Sequence, residues 1–194
     1  MIKIERQELL NKLKSLISND RYEHTLRVEQ TAIELARRFG ADEKKASLAA
    51  LLHDCAKSIS KDPEGFSKEH GIYEFLHKYD YLPLPLLHAP MGAHLAKAEF
   101  GVLDEEILSA ITWHTSGKPN MSLMDKIIYL ADYTEPGRTE IKEIDEVRSL
   151  CKADLDKALL KAFDFSIKYI KAKGKEIHSD TLKAYEYMKE SAEN

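Results

Sequence analysis

Two cysteines in 194 residues, Cys55 and Cys151, cannot build a disulfide framework, and the expected setting is a reducing cytoplasm. A basic excess is also missing. The chain has 29 Lys and Arg against 33 Asp and Glu, a formal net charge of −4, which excludes the global electrostatic footprint of a nucleic-acid-binding protein. An anionic ligand would have to be met by a local cluster of metals, lysines and arginines. No apolar run approaches the length of a membrane span. The N-terminus, Met-Ile-Lys-Ile-Glu-Arg, lacks an apolar signal core. Neither nucleic acid nor a membrane is therefore an expected partner. Strand-period alternation, internal repeats, low-complexity tracts and a domain-dividing linker are missing as well. What remains is a cytoplasmic, all-α chain read as a single domain over 1–194, with 43% hydrophobic residues to fill one core.

The periodicity predicts a first helix over roughly Glu5 to Ile17, with Leu9, Leu13 and Leu16 on one face. A second helix runs from an Asn19-Asp20 cap to Gly40, and a third is capped by Asp42 and continues into His53-Asp54. Lys61 to Gly71, with Pro63, Gly65 and Gly71, reads as a loop before a short helix from Ile72 to about Tyr79. Pro83, Pro85 and Pro90 put His88 in a turn or first helical turn, ahead of a helix that stops at Gly101. Asp104-Glu105-Glu106 opens a helix to His114, and Ser122 with Asp125 resembles a capping box for a helix to Asp132. Helices near Ile144–Leu150, Asp154–Lys173 and Asp180–Lys189 follow. The metal-site core is expected over about 19–140, with C-terminal helices over about 141–194.

The features that are present concentrate in one chemistry. His53-Asp54, joined by His24, His88, His114 and Asp132, supplies the imidazoles and carboxylates of a buried dinuclear metal site, which most often does hydrolysis at phosphorus or carbon. On a continuous helix His53 and Asp54 project about 100° apart, and Lys57 shares their face. Asp54 has two oxygens and can serve one ion with each. Asp132 ends an apolar helix, where a carboxylate is costly to bury without a partner such as a metal. His70, His77, His94 and His178 read as ordinary histidines, Cys55 and Cys151 as small buried groups, with a soft metal ligand the alternative for Cys55, and Trp113 as core packing, with stacking on a nucleobase its alternative.

In order, His24, His53-Asp54 and Asp132 resemble the HD superfamily of metal-dependent phosphohydrolases, and His88 and His114 match its dinuclear subset. The local wording is more specific. His24-Thr-Leu-Arg27, Leu-Leu-His53-Asp54-Cys-Ala-Lys57, His88-Ala-Pro-Met-Gly92-Ala, Trp113-His114-Thr115-Ser-Gly117 and Tyr129-Leu-Ala-Asp132-Tyr-Thr-Glu135-Pro-Gly-Arg138 resemble one bacterial family. It is the YqeK-type family of symmetrically cleaving diadenosine tetraphosphatases, and the likeness runs from about Asn19 to Met188.

That resemblance implies an all-helical HD-domain bundle, compatible with a homodimer. It implies a small nucleotide substrate, diadenosine tetraphosphate, cut in the middle into two ADP by water activated between two ions. The implied cofactors are two divalent metal ions, iron by family habit, though manganese, nickel, cobalt and zinc suit the same donors. His24, His53, Asp54 and Asp132 would hold one ion; Asp54, His88 and His114 would hold the other. Asp54, Lys57 and Arg27 are the implied catalytic residues, with Lys57, Arg27, Arg138, Thr115 and Glu135 against the substrate. Two alternatives stand beside this reading. One is another HD phosphohydrolase acting on nucleotides, deoxynucleotides or alarmones; the other is a non-catalytic nucleotide or metal sensor.

Overall fold

The chain folds around α8 (Leu123–Thr134), whose Met124, Ile127, Ile128, Leu130 and Ala131 are buried on nearly every side, as a central helix requires. The structure, a computed structural model, describes residues 5–139 and 143–193. Before α8 come α1 (Arg6–Leu16), α2 (Asn19–Phe39), α3 (Glu43–Leu52), α4 (Pro63–Glu69), α5 (Tyr73–Leu76), α6 (Leu84–Phe100) and α7 (Glu105–Trp113). After it come α9 (Ile144–Leu150), α10 (Leu155–Ala172) and α11 (Ser179–Glu193). No strand occurs among the described residues. Against α8 pack α2, α3 and α7, with α6 against α7, and also α9 and α10, the latter carrying α11. One continuous core runs from Leu9 and Leu13 in α1 to Ala184 and Met188 in α11, so the bundle is a single domain.

The expected stop and start signals operate where they are local. Gly40 ends α2 in the left-handed conformation, and Asp42 and Asp104 cap α3 and α7. Ser122 and Asp125 form a reciprocal capping box at the start of α8. Gly117, which follows the α7 end, has φ +70°, and a Cβ there would lie 2.5 Å from the buried Phe163 ring. Glycine is required at that position both by its backbone conformation and by the approach of α10.

Four expectations are corrected. The cap of α2 is Ser18, whose hydroxyl accepts from the Arg21 N–H, while Asn19 and Asp20 already belong to the helix. The segment expected as a loop holds α4, because Asp62 caps it and Pro63 stands in the first turn, where a missing N–H costs no helical bond. His88 lies inside α6 rather than in its first turn: the helix begins at Leu84 and contains Pro90. Finally, α3 ends at Leu52. His53 to Ala56 turn away through three-residue hydrogen bonds into a 3₁₀ turn at Lys57–Ser60, so the continuous-helix geometry of His53, Asp54 and Lys57 does not apply.

Candidate metal centre

Five chain segments deliver six side chains to one buried point. His24 lies on the inner face of α2, four residues before the fully buried Val28. His53 and Asp54 follow α3, His88 comes from α6, His114 caps the end of α7, and Asp132 stands in the last turn of α8. All but Asp132 are essentially withdrawn from solvent, and Asp132 keeps 20% of its side chain exposed.

The histidines are oriented by bonds on their outer nitrogens. His53 Nδ1 donates to the Ala50 carbonyl at 2.6 Å, and His114 Nδ1 donates to the Ile111 carbonyl at 2.7 Å. His24 Nδ1 donates to Glu135 Oε1 at 3.0 Å. Carbonyl and carboxylate oxygens only accept, so each of these imidazoles carries a proton on Nδ1 and turns its Nε2 inward. Fixing a ring through its far nitrogen is how proteins orient metal-ligating histidines.

The inward atoms fall into two sets that share Asp54. His24 Nε2 is 3.0 Å and His53 Nε2 3.8 Å from Asp132 Oδ1, and His53 Nε2 is 3.5 Å from Asp54 Oδ2. Asp54 Oδ1 faces the other way, 3.1 Å from His88 Nε2 and 3.5 Å from His114 Nε2, which are themselves 3.2 Å apart. One carboxylate oxygen thus serves each set, as in a bridging ligand.

These residues fit divalent ions. His24 Nε2, His53 Nε2 and Asp54 Oδ1 are buried and make no hydrogen bond of acceptable geometry, although polar neighbours lie within 4 Å. Orphaned polar atoms are costly in a protein interior. Donors about 2.0–2.2 Å from a common ion would stand about 3.0–3.5 Å from one another; the second set has this spacing, and the first has it apart from the 3.8 Å between His53 Nε2 and Asp132 Oδ1. Thiolate is not part of the donor set: Cys55 is fully buried, its Sγ is directed at the Gly92 carbonyl, and burial pushes its thiol pKa up.

The electrostatics favour cations here. Burial opposes ionisation of Asp54, but His53, His114 and His88 outweigh it and hold the carboxyl well below its ordinary range. Burial likewise opposes Asp132, and His24, His53 and Arg138 hold it down. Desolvation keeps His88 neutral, with its pKa lowered to about 4, and lowers His114 as well. Two carboxylates held ionised beside imidazole nitrogens make a ready cation site. The ammonium of Lys57 already stands among the second set, 2.9 Å from His88 Nε2 and 3.2 Å from Asp54 Oδ1.

The remaining sequence candidates separate by partner. Thr115 Oγ1 lies 3.2 Å from His88 Nε2. Arg138 donates to Asp132 Oδ1 at 2.7 Å. Arg27 donates to Glu135 Oε2 at 2.6 Å, and the Gly137 N–H binds the same oxygen. Glu135, expected against the substrate, is 2% exposed with both oxygens engaged, so it faces His24 and Arg27 instead. Two residues escaped the sequence reading. Arg21 donates to Asp54 Oδ2 at 2.9 Å, and its place three residues before His24, on the same helix face, was the available signal. Arg148 of α9 donates to the carbonyls of Thr134, Glu135 and Arg138 and fastens the turn that carries Glu135 and Arg138; no local pattern announces it.

Comparison with known proteins agrees with this geometry. The HD domain family model matches residues 21–137, which include all six converging side chains. The chain is 43% identical over 187 residues to a symmetrical bis(5'-nucleosyl)-tetraphosphatase of Bacillus subtilis, covering 95% of this chain and 98% of that one. It is 41% identical over 187 residues to a protein of the same description from Halalkalibacterium halodurans, covering 95% and 97%. A crystal structure of an HD-superfamily hydrolase from Clostridium acetobutylicum, described as involved in NAD metabolism, superposes with a TM-score of 0.85 at 39% identity, covering 97% of this chain and 98% of that one. The chain belongs to the HD-domain family and, within it, to the symmetrical bis(5'-nucleosyl)-tetraphosphatases.

Proposed function

We propose that this protein hydrolyses diadenosine tetraphosphate between its two inner phosphates, releasing two ADP. The observation that carries the reading is the division of Asp54 between two histidine sets, in a chain 41–43% identical to symmetrical tetraphosphatases. His24, His53, Asp54 and Asp132 would hold one divalent ion, and Asp54, His88 and His114 the other. When bound, such ions polarise phosphoryl oxygens and lower the pKa of a nearby water. The proposed resident metal is iron, as the family resemblance implies, with manganese, nickel, cobalt and zinc also suited to nitrogen and oxygen donors, and the proposed setting is the cytoplasm. The proposed division of the chain is a metal-site core over about 19–140, braced by helices over about 141–194.

The chain's own groups divide the rest of the work. Lys57, Arg21 and Arg138 surround the carboxylates with positive charge that a tetraphosphate can share, an electrostatic and positioning role. Thr115 offers a hydroxyl beside His88. Arg27 and Glu135 act one layer out, by orienting His24. Glu135→Ala is accordingly expected to weaken metal binding ten- to hundredfold, roughly the cost of losing an outer partner of a ligating histidine. Glu135→Gln, whose amide oxygen can still accept from His24 Nδ1, should recover part of that loss. Metal titration by calorimetry decides this; equal affinity in all three proteins would remove Glu135 from the site.

Ion-exchange analysis of products tests the activity. Anaerobically purified protein loaded with iron or manganese is expected to give ADP alone from diadenosine tetraphosphate, and metal-stripped protein to give nothing. ATP plus AMP would mean attack at an outer phosphate. Absence of any product would turn the reading to other nucleotides.

A further inference from the structure

Two groups that orient the first ligand set hang on one short turn. Glu135 reaches back to His24, and Arg138 to Asp132, from the Glu135-Pro136-Gly137-Arg138 segment that follows α8. Pro136 has no N–H to give, and the last carbonyls of a helix have no partner further along it. Arg148 meets that need from α9. Its Nε donates to the Thr134 carbonyl at 3.0 Å, and its Nη2 to the carbonyls of Glu135 at 2.8 Å and Arg138 at 3.1 Å. One rigid, planar guanidinium thus spans the turn from end to end. Arg148 is itself held, since Nη1 donates to Asp145 and the buried Ile144, Val147 and Cys151 anchor α9. Arg27 grips the turn through the Glu135 side chain and lies over Gly137, where a Cβ would stand 2.6 Å from its Nε.

We propose that Arg148 is a positioning residue for the first ion site, acting through this turn. The inference rests on the two-ion reading above and extends the machinery to α9, beyond the stretch 21–137 that matches the HD domain. The partners of Arg148 are three carbonyls and Asp145, so it reaches the ligands through the backbone of the turn. Losing these charge-assisted bonds frees the turn, and the outer partners of His24 and Asp132 move with it. The second set is built differently. His114 is oriented by the Ile111 carbonyl, and His88 stands beside Lys57 and Thr115, none of them on the turn. The effect of Arg148 is therefore selective, falling on the ion held by His24, His53, Asp54 and Asp132.

Calorimetric titration with manganese in two backgrounds reads this selectivity. His114→Ala takes a donor from the second set and leaves the first intact; His24→Ala does the reverse. Added to His114→Ala, Arg148→Ala should weaken the remaining ion about tenfold, the lower end for losing an outer partner of a ligating histidine. Added to His24→Ala, it should leave the affinity unchanged. Arg148→Lys keeps the charge, but one ammonium cannot span three carbonyls, so a smaller loss of the same selectivity is expected at an unchanged unfolding temperature. That variant decides the matter where the alanine protein does not fold. Equal losses in both backgrounds would mean a general loosening of the bundle, and no loss in either that the turn holds itself; each result overturns the assignment. The titrations contain no nucleotide, so the two readings fail separately. Selective loss in a protein that leaves diadenosine tetraphosphate intact would keep Arg148 in its role and remove the hydrolase, and equal losses in an active enzyme would do the opposite.

Discussion

Asp54→Ala is expected to lower kcat on diadenosine tetraphosphate by at least about 10³-fold, as for residues that act only as part of a unit. Its metal content should fall from two ions to one or none. The reason is positional. Oδ2 stands with His53 and Arg21, and Oδ1 with His88, His114 and Lys57, so one substitution strips a ligand from each set. It also removes one of the two ionised carboxylates that draw cations into a site whose other donors are imidazole nitrogens. Asp54→Asn keeps the shape and the neighbours but loses the charge and one acceptor oxygen, and should fall between wild type and alanine in metal content. Thermal unfolding of the metal-free proteins separates this from misfolding. An Asp54→Ala protein with two ions and near-wild-type turnover would end the bridging assignment.

The convergence of the six candidate side chains was legible in the sequence only in part through the physics of burial. Asp132 stands in the last turn of a largely buried helix and His53-Asp54 behind the alanine-rich α3, where carboxylates need partners, and Arg21 and Arg138 supply some of that charge. Burial marked these positions as candidates, and their assignment as ligands came from the resemblance to the HD pattern. The geometry itself was less accessible. Helix-face arithmetic placed His53, Asp54 and Lys57 on one helix, whereas the chain leaves the helix at Leu52. Lys57 nevertheless reaches Asp54 because a 3₁₀ turn also puts residues i and i+3 on one side. Pairings across long stretches carry no local signature. Arg27 and Glu135 are 108 residues apart in the chain, and each alone reads as a solvated charge that could face substrate.

Lys57→Ala is expected to lower kcat about 10²-fold, the usual effect of removing one charge-stabilising donor from a reaction site, with a smaller change in KM. Metal content provides the discriminating observation. The ammonium lies among the donors of the second set, 2.9 Å from His88 Nε2, and there it occupies the electrostatic position of a cation. An ion entering that set must displace it, and its flexible four-carbon stem, 36% exposed, lets it turn toward a phosphate. The variant should therefore bind the second ion as tightly as wild type or more tightly, while turning over more slowly. A lysine that instead supported the ligands would give the opposite pair of results, with weakened metal binding and activity restored by excess metal. Metal titration and steady-state kinetics on the same preparations distinguish these cases. Unchanged kcat with unchanged metal content would leave Lys57 with no part in the reaction, and the positive charge around the phosphates would then rest on Arg21 and Arg138.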